Sequence, residues 1–360
     1  MKATPIYAHL LSRDEIIAGG FRETPAPVAP PSLDVPGVMK ALAPLRAASN
    51  KRGMVELAIT AGPLAILWVV AGLLVRAEIW WGLLLVIPAG AFLLRLFMIQ
   101  HDCGHGSFFR GKKANGWVGR IIGVLTLTPY EYWRRAHAHH HAGTGNLDRR
   151  GAGDIDTLTL EEFRQRTPWQ RLRYRMYRHP VVLFLLGPAY QFLLVHRLPP
   201  KLKTSRAVWL SVMGTNCAVA VFAIAMIALF GLKTVLLVHL PITLVAATLG
   251  IWLFYIQHQF EHTVWDPAED WSFHKAALHG SSYFDLPPVL RWFSANIGVH
   301  HVHHLSSGIP FYRLQKALAI VPHLKNVGRM TLLQSFSTVR LALWDEDSRR
   351  MISFKDAATA

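Results

Sequence analysis

Residues 80–105 read WWGLLLVIPAGAFLLRLFMIQHDCGH. From Trp80 to Met98 the stretch is apolar apart from Arg95, and roughly 18 or more such residues are read as a membrane-crossing helix. It then runs into His101 and His105, which stand four apart and share one helix face just past the end of the span.

Three more apolar stretches lie at about 57–74, 207–230 and 234–255, the last interrupted by His239. The chain has 360 residues, 52% hydrophobic and only 17% charged, an imbalance too strong for a soluble protein of this size. The fold class expected is all-α and integral to a membrane. The first two spans are joined by RAEI (Arg76 to Ile79) and the last two by GLK (Gly231 to Lys233), tight turns poor in basic charge. Lys and Arg excess marks the cytoplasmic side, so these turns belong on the outer face. The expected architecture is four transmembrane helices in two hairpins with a cytoplasmic helical cap. Pro180–Val195 is apolar but short and carries Pro188, which suits a re-entrant or interfacial helix better than a span.

Three segments follow: a cytoplasmic N-terminal tail over 1–50, a membrane domain over 51–325, and a cytoplasmic C-terminal tail over 326–360. The tail TPAPVAPPSLDVP is polar and Pro-rich and has no cleavable signal pattern, so the first span is expected to act as the insertion signal. Cys103 and Cys217 do not read as disulfide partners, which fits a reducing side of the membrane and both termini in the cytoplasm. The net charge of +16 is concentrated between spans, as in RGKK (Arg110 to Lys113) and RQRTPWQRLRYRMYRH (Arg164 to His179). That distribution points to an anionic lipid surface rather than to nucleic acid.

Two further clusters repeat one spacing. HAHHH sets His137, His140 and His141 as one trio, and HHVHH sets His300, His303 and His304 as another. Imidazole is the commonest metal ligand, and one ion rarely takes more than about six ligands, so eight such nitrogens imply two metals. His258 in QHQFEH follows the fourth span as His101 follows the second, and is expected as a ninth ligand. His139 and His301 point off the ligand faces and are expected, with Asp102, to back the ligands rather than bind, and His262 is a candidate for either role. Carboxylates must offset the charge of two cations and orient the rings, and Asp102, Glu131, Asp154, Asp156 and Glu261 are candidates by proximity. The isolated histidines, His239 among them, are read as structural, and Trp133, Trp252, Trp265 and Trp292 as interfacial belt residues.

Imidazole suits Zn, Cu, Fe and Ni alike, but zinc normally takes only four ligands. A site this rich beside a bilayer points to a binuclear iron centre that activates O2 against a lipid C–H bond. A histidine-rich metal transporter or sensor is the reading from another class, but transporters hold their ligands near the bilayer midplane.

HDCGHGSFF (101–109), WRRAHAHHHAGTGNLD (133–148), FYIQHQFEHTVW (254–265) and GSSYFDLPPVLRWFSANIGVHHVHHLSSGIPFYRL (280–314) resemble the blocks of membrane fatty acid desaturases. The resemblance is closest to bacterial acyl-lipid desaturases. It implies two iron ions held by His101, His105, His137, His140, His141, His258, His300, His303 and His304, with no catalytic residue beyond these ligands. It implies O2 as co-substrate and insertion of a cis double bond into the acyl chain of a membrane lipid. Relatives commonly read QHQFED, so His262 stands where an aspartate is usual. The HPGG motif of a fused cytochrome b5 does not occur in the chain, so the resemblance implies an external donor, ferredoxin with its reductase. A fatty acid or isoprenoid hydroxylase or ketolase of the same histidine-box superfamily is the alternative.

Overall fold

A computed structural model describes residues 34–151, 153–199 and 205–359. Four long helical segments are apolar enough to cross a membrane: Asn50–Arg76, Trp80–His105, Arg206–Phe230 and Leu232–His258. Each extends past the stretch that hydropathy marks. Helix α1 (Asn50–Arg76) starts at Ser49, whose hydroxyl accepts from the Arg52 N–H at 3.3 Å and caps an otherwise unpaired donor. A 3-10 turn at Trp80–Leu85 leads into α2 (Val86–His105), which ends where Gly106 takes φ +70°. Glycine adopts this left-handed conformation without steric cost, so it stops the helix one residue after His105.

Helices α3 (Lys112–Leu125) and α4 (Tyr130–Gly143) follow within the cap, and α5 (Arg206–Phe230) and α6 (Leu240–His258) complete the spans. Gly90 of α2 lies against Val245 of α6, where an added Cβ would stand 2.4 Å from the valine side chain. Helices α2 and α6 can approach closely only because nothing projects there. The second span has 56% of its most apolar window buried and the third only 6%, so α2 is the inner helix and α5 faces lipid.

The two ionisable residues that interrupt spans have protein partners. Arg95 pairs with Glu56 of α1 at 2.5 Å, both side chains 2% exposed, and its guanidinium lies 3.9 Å from the Trp292 ring centre. Glu56 also takes Arg52 at 2.6 Å. A charge in a span is costly unless paired, and this cluster supplies the pairing. His239 accepts from the Trp68 indole at 3.3 Å, joining the fourth span to the first.

The segment around Pro180 is no straight span: Pro168–Tyr177 and Val182–Arg197 meet at a bend of 59°. The described part of the 1–50 tail carries a helix at Val35–Leu42, and residues 1–33 lie outside the described residues. The segment 326–360, expected as a tail, is folded from 326 to 359. Strand β3 (Arg329–Thr331) pairs in parallel with β2 (Tyr283–Asp285), and β4 (Leu341–Asp345) lies between β1 (Leu158–Thr159) and β5 (Arg350–Ser353). The Tyr255 hydroxyl is within 2.8 Å of the Thr338 and Leu341 carbonyls, and buried Arg178 donates to the Leu341 carbonyl at 2.8 Å. These contacts wrap the C-terminal strands around the end of α6.

Candidate metal centre

The ends of α2 and α6 meet α4 and a short helix, α7 (His300–Leu305). Nine histidines from these four elements form two groups. His101, His105, His137, His141 and His303 make one, and His140, His258, His300 and His304 the other, with all ligand atoms of a group within 4.8 Å of one another. The nine are the residues expected from sequence, but each trio divides. At 100° per residue, positions i and i+4 lie 40° apart, whereas i+3 lies 60° to the other side. His137 and His141 therefore face the group of five while His140 turns to the group of four. On α7 the same arithmetic sends His300 and His304 to the group of four and His303 across. The wall between the groups is a ring stack, His141 on His304, with centroids 4.1 Å apart.

Within each group the Nε2 atoms converge. His105 and His137 approach to 3.0 Å, His137 and His141 to 3.1 Å, and His141 and His303 to 3.2 Å. In the other group His140 to His258 is 3.1 Å, His258 to His300 2.9 Å, and His300 to His304 3.1 Å. Ligands at right angles on bonds of roughly 2.1 Å, the length of a zinc–imidazole bond, stand about 3.0 Å apart. The spacing thus fits a cation in each group with neighbours closer to right angles than to tetrahedral.

The opposite ring nitrogens set which Nε2 can bind. Asp102 takes His101 Nδ1 at 3.1 Å on one oxygen and the Phe311 N–H at 2.6 Å on the other. Asp154 accepts from His140 Nδ1, and the Gly280 carbonyl from His258 Nδ1 at 3.0 Å. A proton held on Nδ1 leaves Nε2 with its lone pair free for a metal. Burial, and then the neighbouring imidazoles, push His137, His141, His300, His303 and His304 well below the usual imidazole range. These rings are neutral at pH 7, as ligation requires.

Among the residues expected to back the ligands, only Asp102 touches one of the nine directly. His139 is exposed and faces away, and half-buried His262 belongs to neither group. His301 is fully buried and donates from Nε2 to the Leu324 carbonyl at 2.9 Å, a bond that ties α7 to the chain beyond it. Of the other carboxylates, Glu131 pairs with Arg120 and Arg134, Glu261 pairs with Arg350, and Asp156 bonds Tyr174, Tyr177 and Arg178 through its backbone, leaving Asp154 as the second that meets a ring. The Gly280 carbonyl carried no side-chain signal that could have marked it.

The four tryptophans read as belt residues each have a packing partner. Trp133 stacks on His137 at 4.6 Å between centroids, Trp292 covers Arg95, Trp252 packs edge-on to Phe184, and Trp265 is buried beside Trp344. The GSSYFD block fixes α7 against α6: the Ser282 N–H donates to the Gln257 carbonyl at 2.9 Å, and the Gln257 side chain to the Ile297 carbonyl at 3.1 Å.

A family model described as fatty acid desaturase matches residues 78–329. A fatty acid desaturase of Bacillus subtilis (strain 168) is 42% identical over 306 residues, covering 85% of this chain and 87% of the relative. An sn-1 acyl-lipid omega-3 desaturase (ferredoxin) of Synechocystis is 30% identical over 240 residues, 63% of this chain and 64% of the relative. An sn-1 oleoyl-lipid 12-desaturase of the same organism is 31% identical over 237 residues, with 64% and 65% covered. The match spans all four elements that bring the histidines together, and with 42% identity across most of the chain it shows that this membrane protein belongs to the fatty acid desaturase family and is an oxidoreductase.

Proposed function

We propose that this chain inserts a cis double bond into the acyl chain of a membrane lipid, using O2 and two electrons from ferredoxin with its reductase. The reaction balances as –CH2–CH2– plus O2, two electrons and two protons giving –CH=CH– and two water molecules. Two iron ions, one in each histidine group, would supply the O2-activating chemistry that an unactivated C–H bond requires. What supports this reading most is the pair of nitrogen-only groups, one buried and one half-buried, at the ends of the second and fourth spans, where an acyl chain can reach from the bilayer.

The chain's own residues orient and exclude. Asp102 and Asp154 hold ring protons away from the centre, and the histidines of α7 are almost completely shielded from solvent. Water exclusion protects the reaction from side reactions. The omega-3 desaturase relative is named for ferredoxin, and the basic cap suits an acidic donor by electrostatic steering. The turns poor in basic charge favour placing the histidine ends, with both termini, in the cytoplasm of a bacterial inner membrane.

The test is expression with a ferredoxin system in a host whose acyl chains lack the corresponding double bond, followed by mass spectrometry of the lipids. A new cis double bond, absent with His137→Ala, is the expected product. An alcohol or ketone on the same chain, or an oxidised isoprenoid, would assign the protein to the hydroxylase or ketolase branch instead.

A further inference from the structure

Pro168–Tyr177, PWQRLRYRMY, has two unlike faces. Its inner face is fixed to the cap. The Tyr174 hydroxyl is buried and donates to the Ala342 carbonyl at 2.6 Å, and Arg178 at the helix end donates to Gln259 Oε1 at 2.8 Å, next to His258. Its outer face is open: Trp169 is 65% exposed, Leu172 45% and Met176 56%. At 100° per residue these three fall within a 60° arc, with Arg173 on one side and Arg175 on the other. Arg164, Arg166, Arg173 and Arg175 are all exposed, and none forms an ion pair among the described residues, although Arg175 also lies 4.7 Å from the Phe354 ring centre. The exposed apolar run goes on through Val181, Leu185 and Leu186. Helix α3 repeats the pattern, with Trp117 and Ile121 exposed beside Lys113.

An acidic protein would satisfy the arginines but would leave an apolar stripe to be covered separately. A lipid surface takes both at once, with Trp169, Leu172 and Met176 in the acyl boundary and the arginines at the phosphates. The helix also lies between the end of α2 and the start of α5, on the membrane face where the histidines gather. We propose that Pro168–Tyr177 is an interfacial helix that seats the cap on an anionic lipid surface. Arg178 and Gln259 link that seat to the end of α6, next to His258.

The test uses the full chain in a Cys217→Ala background, with a nitroxide on Met176→Cys, in vesicles of phosphatidylcholine with or without phosphatidylglycerol. Leu172→Cys is the second site, and Glu346→Cys is the exposed control. With phosphatidylglycerol, the label at 176 should collide with O2 but be protected from a water-soluble nickel complex relative to the control. The inserted-to-lifted ratio should fall about fivefold for each arginine lost in Arg173→Gln/Arg175→Gln. Nickel access equal to the control in both vesicles would overturn the proposal. So would immersion that ignores phosphatidylglycerol and both arginines. Protection that needs added ferredoxin rather than lipid would assign the face to a donor protein and overturn it as well.

Discussion

Asp102→Asn should disable one metal group and spare the other. The carboxylate accepts from two donors, His101 Nδ1 at 3.1 Å and the Phe311 N–H at 2.6 Å. Asparagine offers one oxygen and one NH2, so one of those donors must face an NH2. If the oxygen keeps Phe311, the NH2 donates to His101 Nδ1, and the ring proton moves to Nε2. That proton points into the group of five and blocks ligation. Losing one charge-assisted hydrogen bond costs about 1.5–3 kcal/mol, and residues that orient a ligand are worth roughly 10–100-fold in metal affinity. Iron affinity of the group of five should therefore fall by about that factor, with the group of four unchanged. Asp154→Asn should give the reverse pattern, because Asp154 holds His140 of the group of four. Chelator competition on protein loaded with ⁵⁷Fe, read by Mössbauer spectroscopy, separates the two populations. Both affinities staying within about twofold of wild type, against the 10–100-fold expected of a ligand-orienting group, would refute the reasoning.

Other predictions concern stability and protonation. Glu56→Gln leaves Arg95 buried without its partner and should cost about 3–5 kcal/mol, lowering the thermal midpoint in detergent, while Glu56→Leu/Arg95→Met should recover most of it. His301→Ala should lower the midpoint by losing a buried hydrogen bond at a cost of about 1–3 kcal/mol, yet leave the iron count unchanged; His139→Ala should alter neither. Metal-free protein should lose stability on acidification. His137, His141, His300, His303 and His304 resist protonation when folded, but the unfolded chain takes up protons below about 6.5. Unfolding is then favoured as pH falls from about 6.5 towards the lower folded values, by up to about 1.4 kcal/mol per pH unit for each histidine. Melting curves should be flat above about pH 7.5 and fall steeply below 6.5.

Hydropathy and histidine spacing make the spans and the nine converging residues legible in the sequence. The spans came out short because a helix does not stop where apolar residues do: α2 continues through Gln100–His105 to the Gly106 cap. The division of each trio was present in the 3.6-residue period, but which group each face meets depends on neighbours far away in sequence. Partners such as the Gly280 carbonyl and Trp292 were hidden for the same reason. The strands were illegible because Leu158–Thr159 is too short for any alternation to show, and it pairs with Leu343 and Trp344 about half the chain away.

The central claim is tested most directly by counting iron in purified protein. Two ions per chain are expected in wild type. One should remain in Asp102→Asn under chelator challenge, with the Mössbauer signal of a different ion retained in Asp154→Asn. A single ion in wild type, or loss of both ions together in each variant, would contradict two separate histidine groups.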